Sequence, residues 1–428
     1  MNSIRRDQIM ELSALYYREQ RPEHSFRPGV DMITASGKVF DEQELVSLMN
    51  ASLDYCLSEG DQAARFERQL AMTVGVRYSL LLNSGTSANL LALSALTSPY
   101  LGARALHPGD EIITTSNKFP STVIPILQHG LIPVFVDVAL PTYSMETELL
   151  DQAVTAKTKA IMVAHTLGNP FDIAYVKEFA DRHRLWLIED AGDALGSMYQ
   201  GQPAGSFGDL ATVSFFPGQQ ITMGEGGAVL TSSSLLKQIV ESLRDLGKAS
   251  PHAYKNAGAG IRETPGRGYT EGNALSPAGF HLHAADLQAG IGLTQLRKLA
   301  EFTRKRREHY MFLYHALEPL QYALYLPEET PGSEPSWLGF PLTVKEHSPI
   351  GRNELIQSLE EHRIGTRLLF PGPSISQLDY RADSYRLAGP LTNTDTVRNR
   401  SFWIGLHPGL TEEMLSYSAG VIHKLFTM

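Results

Sequence analysis

The chain has a single cysteine, Cys56, in 428 residues. One thiol excludes an internal disulfide. It also excludes an iron–sulfur cluster held by the cysteines of one chain, which ordinarily takes four ligands. Long apolar runs are missing as well: no stretch approaches the roughly 20 residues a membrane helix requires. The N-terminus, Met1-Asn-Ser-Ile-Arg-Arg-Asp7, shows no apolar core followed by a small-residue cleavage site, so a cytoplasmic protein is expected. With a formal net charge of −9 and no long basic block, neither nucleic acid nor an anionic membrane is an expected partner. Lysine is absent between Lys177 and Lys237, so that whole stretch offers no side-chain amine for covalent chemistry.

What is present fits a globular enzyme. Hydrophobic residues make up 43% of the chain and charged ones 19%, enough to bury a sizeable core, and the length exceeds one ordinary domain. Ile9, Leu12, Leu15 and Tyr16 at helical spacing predict an N-terminal helix, followed by a proline-containing arm, over residues 1–35; such an arm is expected to pack on a partner subunit. Short apolar runs then alternate with helical patterns: Ser79–Leu82, Glu111–Thr115, Pro133–Val136, Ala160–Ala164, Leu185–Ile188, Thr212–Phe215 and Ala228–Leu230. Apolar strands separated by helices predict an α/β fold with a parallel sheet covered on both faces. Lys248–Pro277, rich in glycine, alanine and proline, reads as a long loop. A helix is expected after Ala284 through Leu287, Ile291, Leu296 and Leu299, and the basic run Arg304-Lys-Arg-Arg307 reads as a solvated helix face. Trp337–Thr343 and Phe402–Gly405 are expected as strand or core segments of a C-terminal domain.

Two motifs sit where strands meet helices. Gly85-Thr86-Ser87 follows one strand and opens a helical pattern, which brings backbone N–H groups, two hydroxyls and the positive end of a helix dipole together. It reads either as a phosphate cradle or as a plain N-cap. Glu189-Asp190-Ala-Gly-Asp193 ends another strand, placing carboxylates at the edge where open α/β sheets bind ligands; a helix-capping aspartate is the alternative.

The segment Ser214-Phe-Phe-Pro-Gly-Gln219-Gln-Ile-Thr-Met-Gly-Glu-Gly-Gly227, together with Asn83–Leu93, Ala164–Asn169, Gly365–Phe370 and Leu391–Asp395, resembles the DegT/DnrJ/EryC1/StrS sugar aminotransferase family over almost the whole chain. In that family a serine is followed five residues later by the lysine that holds pyridoxal 5'-phosphate (PLP) as a Schiff base. Ser214 and Gln219 keep this spacing, and glutamine cannot form the bond. In a smaller branch, the sugar 3-dehydrases, histidine replaces the lysine, and Asp193 matches that branch.

The resemblance implies a fold type I PLP-dependent transferase. Its large domain, residues 36–300, would hold a mainly parallel seven-stranded sheet, and residues 301–428 a smaller α+β domain. It implies PLP or pyridoxamine 5'-phosphate (PMP) bound non-covalently. Gly85, Thr86, Ser87 and Ser214 would sit at the phosphate, Asp190 at the ring nitrogen, and Phe119 stacked on the ring. Asp193 and Gln219 would lie at the reacting end. His281 would reach the phosphate of the neighbouring subunit in a homodimer that shares its active sites.

The implied reaction is loss of the C3 hydroxyl from a keto sugar, without an iron–sulfur cluster or any other metal. The product would either be released by hydrolysis or pass to a separate reductase. Because a carboxamide is a poor proton acceptor, Lys118, His281 and His283 stand as candidate bases, whereas His165, which follows a strand and could face the cofactor, matches the dehydrases and reads as a shared structural feature rather than a replacement base. A lyase or isomerase on another substrate, and a catalytically degenerate cofactor-binding paralogue, are the alternatives.

Overall fold

The computed structural model describes residues 2–20, 25–55, 57–116, 120–247, 278–370 and 384–427. Its main sheet contains β1 (Tyr78–Leu82), β2 (Glu111–Thr114), β3 (Ile132–Phe135), β4 (Thr158–Ala164), β5 (Trp186–Asp190), β8 (Leu210–Ser214), β9 (Gly227–Thr231) and β14 (Arg386–Leu387), in the order β1-β9-β8-β5-β4-β2-β3-β14. A three-stranded sheet of β6 (Met198–Tyr199), β7 (Gln202–Pro203) and β11 (Ser333–Glu334) lies apart from it. A four-stranded antiparallel sheet, β10 (Leu324–Tyr325), β12 (Gly339–Val344), β13 (Thr366–Leu368) and β15 (Ser401–Gly405), belongs to the C-terminal part.

All seven strands expected for the main sheet are present. The sheet has eight, because Arg386–Leu387 pairs in parallel with β3 at the edge. Two residues carry no periodicity, so this strand had no signature in the sequence. β9 runs antiparallel to both β1 and β8, which makes the sheet mixed at one side.

The alternation of side chains along the strands builds two cores. On one face Leu80, Leu82, Met162, Ile188 and Val229 pack beneath the helices Gly85–Leu96 and Ser234–Arg244. On the other, Leu81, Val213, Ala228 and Leu230 pack with Phe66 and Leu70 of the helix Asp61–Val74 and with Ala289 and Leu293. Each of the valine, leucine, isoleucine, methionine and phenylalanine side chains among them, fully buried, contributes about 1.5–3 kcal/mol. Trp337, Phe340 and Phe402 centre the core of the C-terminal part.

The helix expected after Ala284 spans Asp286–Leu317 without a break, so the expected division at residue 300 falls inside it. The basic run Arg304–Arg307 is only partly a solvated face. Arg304 is exposed, but Arg306 is 1% exposed and lies among the core elements. Helical geometry turns Arg306 inward, onto the same side as Phe302 and Tyr310. In the N-terminal helix, Asn2–Glu19, Leu12, Leu15 and Tyr16 are exposed. Cys56, Lys118, Phe119 and the expected loop at Lys248–Pro277 lie outside the described residues. Among the described residues no helix is long and apolar enough to cross a membrane.

Candidate active site

Residues at the C-terminal ends of β1, β5 and β8 converge on one crevice. Gly85 opens its helix directly against Ser214: a Cβ at position 85 would stand 2.5 Å from the Ser214 Cβ and 2.6 Å from its hydroxyl. Gly227 is pressed as closely on Ser84, where a Cβ would stand 2.4 Å from the carbonyl carbon. The result is a cavity of about 300 Å3 lined by Ser84, Gly85, Thr86, Asn89, Ser121, Asp190, Ser214 and Gln219 among others. The N-cap stands one residue before the glycine motif. Ser84 is the N-cap, accepting from the Ser87 N–H at 3.0 Å and donating its hydroxyl to Ser87 Oγ at 2.9 Å. Ser87 accepts in this cap with its own hydroxyl proton uncommitted there, and Ser84, which the motif reading omitted, lines the cavity beside Gly85 and Thr86.

Asp190 is 5% exposed, and three donors hold its carboxylate. Asn89 Nδ2 (3.0 Å) and Thr122 Oγ1 (2.6 Å) donate to Oδ2, and the Gly192 N–H (3.1 Å) to Oδ1. Asn89 also donates to the Ser121 carbonyl at 3.2 Å and accepts from Thr212 at 2.6 Å, so one buried carboxamide ties the first turn of a helix to β8 and to Asp190. Asn89 and Thr122 were not singled out in the sequence. Asn89 had a signal, being a polar residue amid the apolar run Ala88–Leu93.

Glu189, one residue earlier, points to the opposite side of the sheet. Burial opposes its ionisation, but the His165 imidazole and the backbone N–H groups of Gly205, Phe207 and Gly208 hold it below the usual carboxylate range. His165 is 0% exposed and donates to Glu189 at 3.1 Å while stacking on Phe171, and it does not line the cavity.

Gln219 sits where this cavity meets a second of about 1000 Å3, lined also by Ser121, Thr166, Asp193, Leu338, Arg352, Arg367 and Trp403. Its Oε1 is buried without a hydrogen-bond partner. A buried acceptor left open at the shared wall, a glycine-tight approach to a helix N-terminus and a three-donor carboxylate at one end fit a PLP or PMP molecule with the phosphate at Ser84–Thr86 and Ser214 and the ring nitrogen at Asp190. Asp193, 1% exposed, lines the outer cavity, and its carbonyl accepts from Gln220 Nε2 at 2.6 Å.

His281 is not among the residues lining either of these cavities. It faces His283, with ring centroids 5.1 Å apart, in a third cavity of about 450 Å3 that also includes Glu59 and Asp245. Asp245, His281 and His283 present their ligand-type atoms within 4.8 Å of one another.

A ligand crevice at the C-terminal edge of a mainly parallel sheet, with an aspartate at one end and a helix N-terminus at the other, defines a PLP-dependent enzyme of the aminotransferase fold. The chain belongs to the DegT/DnrJ/EryC1/StrS aminotransferase family, whose family model matches residues 40–425. It is 47% identical to the lipopolysaccharide biosynthesis protein RfbH of Salmonella typhimurium, over 98% of each chain. It is 44% identical to the dTDP-4-dehydro-2,6-dideoxy-D-glucose 3-dehydratase of Saccharopolyspora spinosa, over 96% of this chain and 90% of that one. Among solved structures, the Escherichia coli GDP-4-keto-6-deoxy-D-mannose-3-dehydratase with bound hydrated PLP superposes with a TM-score of 0.82 at 25% identity, covering 92% of this chain and 100% of that one.

Proposed function

We propose that the protein is a PLP- or PMP-dependent 3-dehydratase of a nucleotide-linked 4-keto sugar, with its cofactor held by the chain without a covalent bond. The observation that carries this reading is Gln219: it occupies the wall shared by the two cavities with its Oε1 unpartnered, and it has no amine. A chain 44% identical to a sugar 3-dehydratase over nearly its whole length supports the same reaction class.

When bound, the cofactor supplies a conjugated ring that takes up the electrons of a breaking C–H bond, allowing a hydroxyl on the neighbouring sugar carbon to leave. The residues of the chain do the rest. Thr86 and Ser214, with Ser87, whose own hydroxyl proton is still free to donate, would hold the phosphate together with the first N–H groups of the helix Gly85–Leu96. Asp190 keeps the proton on the ring nitrogen, and Asn89 and Thr122 fix the orientation of Asp190.

Gln219 orients the substrate through its carboxamide but takes up no proton near neutrality. That task falls to Asp193, the buried carboxylate on the same outer cavity, with Lys118 as the alternative base. Arg352 and Arg367, on the same cavity, meet an anionic substrate locally although the chain as a whole is acidic. Net turnover converts the keto sugar and an amino-acid donor into the 3-deoxy keto sugar, a 2-oxo acid and ammonia, so no iron–sulfur relay is required. In the other route the dehydrated intermediate passes to a separate reductase instead of being hydrolysed.

The working form is a homodimer, supported by the exposed Leu12, Leu15 and Tyr16 of the N-terminal helix and by His281 lining a cavity other than the one at the chain's own phosphate end. Incubation with PMP, glutamate and either dTDP-4-dehydro-2,6-dideoxy-D-glucose or GDP-4-keto-6-deoxy-D-mannose tests the proposal. One of the sugars is expected to lose one oxygen in the mass spectrum; an amino sugar, or both substrates unchanged, refutes it.

A further inference from the structure

The cavity at His281 and His283 is built by a short antiparallel pairing. The helix Ser234–Arg244 ends at Asp245, which forms an isolated bridge with His281. The Phe280 N–H donates to the Leu243 carbonyl at 2.6 Å and the Leu246 N–H to the Phe280 carbonyl at 2.8 Å, which fixes the register. Alternate side chains of such a segment share a face. Phe280 and Leu282 pack against the sheet core, so His281 and His283 turn the other way, beside Asp245.

The ligand-type atoms of Asp245, His281 and His283 lie within 4.8 Å of one another, on a cavity of about 450 Å3. His283 stands between two carboxylates. Its Nε2 is 3.8 Å from Asp245 Oδ1, and its Nδ1 is 2.5 Å from Glu59 Oε2. That short contact does not meet hydrogen-bond geometry, so Nδ1 is a buried nitrogen without a hydrogen bond. The other oxygen of Glu59 takes Arg244 at 3.0 Å, and Arg244 also holds Glu67 at 2.7 Å. That guanidinium is already matched by two carboxylates, and Asp245 adds a third on the side of the histidines.

Two imidazoles and a carboxylate make a donor set suited to a divalent transition ion such as zinc. Zinc bonds of about 2.0–2.1 Å put tetrahedral donors about 3.3–3.5 Å apart. The separation of His283 Nε2 and Asp245 Oδ1 is close to that already, and His281, being exposed, can turn to close the rest. Behind the His283 ring, Glu59 stands where metal-bound histidines commonly present their second nitrogen to a carboxylate.

We propose that Asp245, His281 and His283 bind one zinc-class divalent ion per chain, with Glu59 orienting His283 from behind. Three protein donors leave a fourth position to water or to an oxygen of a ligand in the cavity. The ion clasps the end of the helix Ser234–Arg244 to residues 281–283. Leu282, between the two histidines, accepts from the Asn83 N–H at 3.0 Å, one residue before the N-cap of the cofactor crevice, so the clasp also steadies that strand end. The site stands apart from the dehydratase reading, and it departs from the expectation of a metal-free protein with His281 at the neighbouring subunit's phosphate.

Tag-free, full-length protein, stripped with EDTA and dialysed free of it, is titrated with Zn2+ against a chromophoric zinc indicator. One ion per chain is expected, and Mg2+, which prefers six oxygen donors, should not compete. Glu59→Gln should weaken zinc about tenfold, as loss of a supporting carboxylate does, and Asp245→Asn, His281→Gln and His283→Gln each on the order of 100-fold or more. Zn2+ at about 100 times its dissociation constant should raise the unfolding midpoint of the parent by about 2 °C or more, and not that of His281→Gln, whose side chain is exposed and whose folding is not at stake. A stoichiometry other than one, zinc affinity unchanged in the three ligand variants, or Mg2+ bound as tightly overturns the proposal. So does a His281→Gln variant that keeps its zinc affinity and loses PMP affinity when metal-free, because the ring would then serve the neighbouring phosphate instead.

Discussion

Replacing Asn89 by alanine removes the one side chain that links Asp190 to the neighbouring strand. Three hydrogen bonds go with it: 3.0 Å to the Asp190 carboxylate, 3.2 Å to the Ser121 carbonyl and 2.6 Å from the Thr212 hydroxyl. A bond to a charged group contributes about 1.5–3 kcal/mol and a neutral one about 0.5–1.5 kcal/mol. Because the site borders a cavity, water can reach some of the groups left behind, and Asp190 keeps Thr122 and Gly192 as donors. A net loss of about 2–4 kcal/mol in folding stability is therefore expected, below the simple sum. Freed on one side, the Asp190 carboxylate no longer has a fixed orientation toward the ring nitrogen, and PMP affinity should fall by about tenfold, equivalent to about 1.4 kcal/mol. Urea unfolding of cofactor-free protein gives the first number, and an absorbance titration with PMP gives the second. A stability loss below about 1 kcal/mol together with an unchanged dissociation constant would contradict the view that Asn89 braces Asp190.

The Gln219→Lys variant supplies an amine at the shared wall, so incubation with PLP followed by borohydride should leave a covalent adduct in the intact mass; the parent should leave none, and an adduct in the parent would show a displaced lysine at work. For Glu111, burial favours the protonated form, but the Arg386 guanidinium and the Thr155 and Thr158 hydroxyls outweigh it and hold the carboxyl below its usual range. Since the folded value lies below the unfolded value of about 4.3, its contribution to stability is complete above that pH and is lost as pH falls toward the folded value. The Arg386→Met variant should show a smaller acid-dependent fall in unfolding midpoint than the parent, and identical curves below about pH 5 would refute the pairing.

The main sheet was legible because each buried strand is a short apolar run: the runs at Ala160–Ala164 and Thr212–Phe215 match β4 and β8 to within two residues at each end. The mixed direction of β9 was not, since an apolar run has no polarity. At the site, Asp190, Ser214 and Gln219 were legible because each stands at the end of a strand or at a fixed offset from one, and the structure brings them into one crevice. Asn89 escaped because its role depends on three partners far apart in sequence.

Arg306 was misread for a related reason. A run of four residues with three arginines looks solvated, yet one position in a helical turn faces the core whatever its neighbours are. His165 follows a strand and Asp190 ends one, but whether such a ring turns toward the ligand or toward Glu189 is settled by packing against Phe171, which the sequence does not state.

The central claim is that this chain removes the C3 hydroxyl of a keto sugar with a cofactor it never binds covalently. It is tested most directly by proton magnetic resonance of the sugar formed in D2O with PMP and glutamate. The account predicts a C3 methylene that has lost its hydroxyl and carries deuterium from the solvent. An intact C3 hydroxyl with an amine installed at C4 would contradict it.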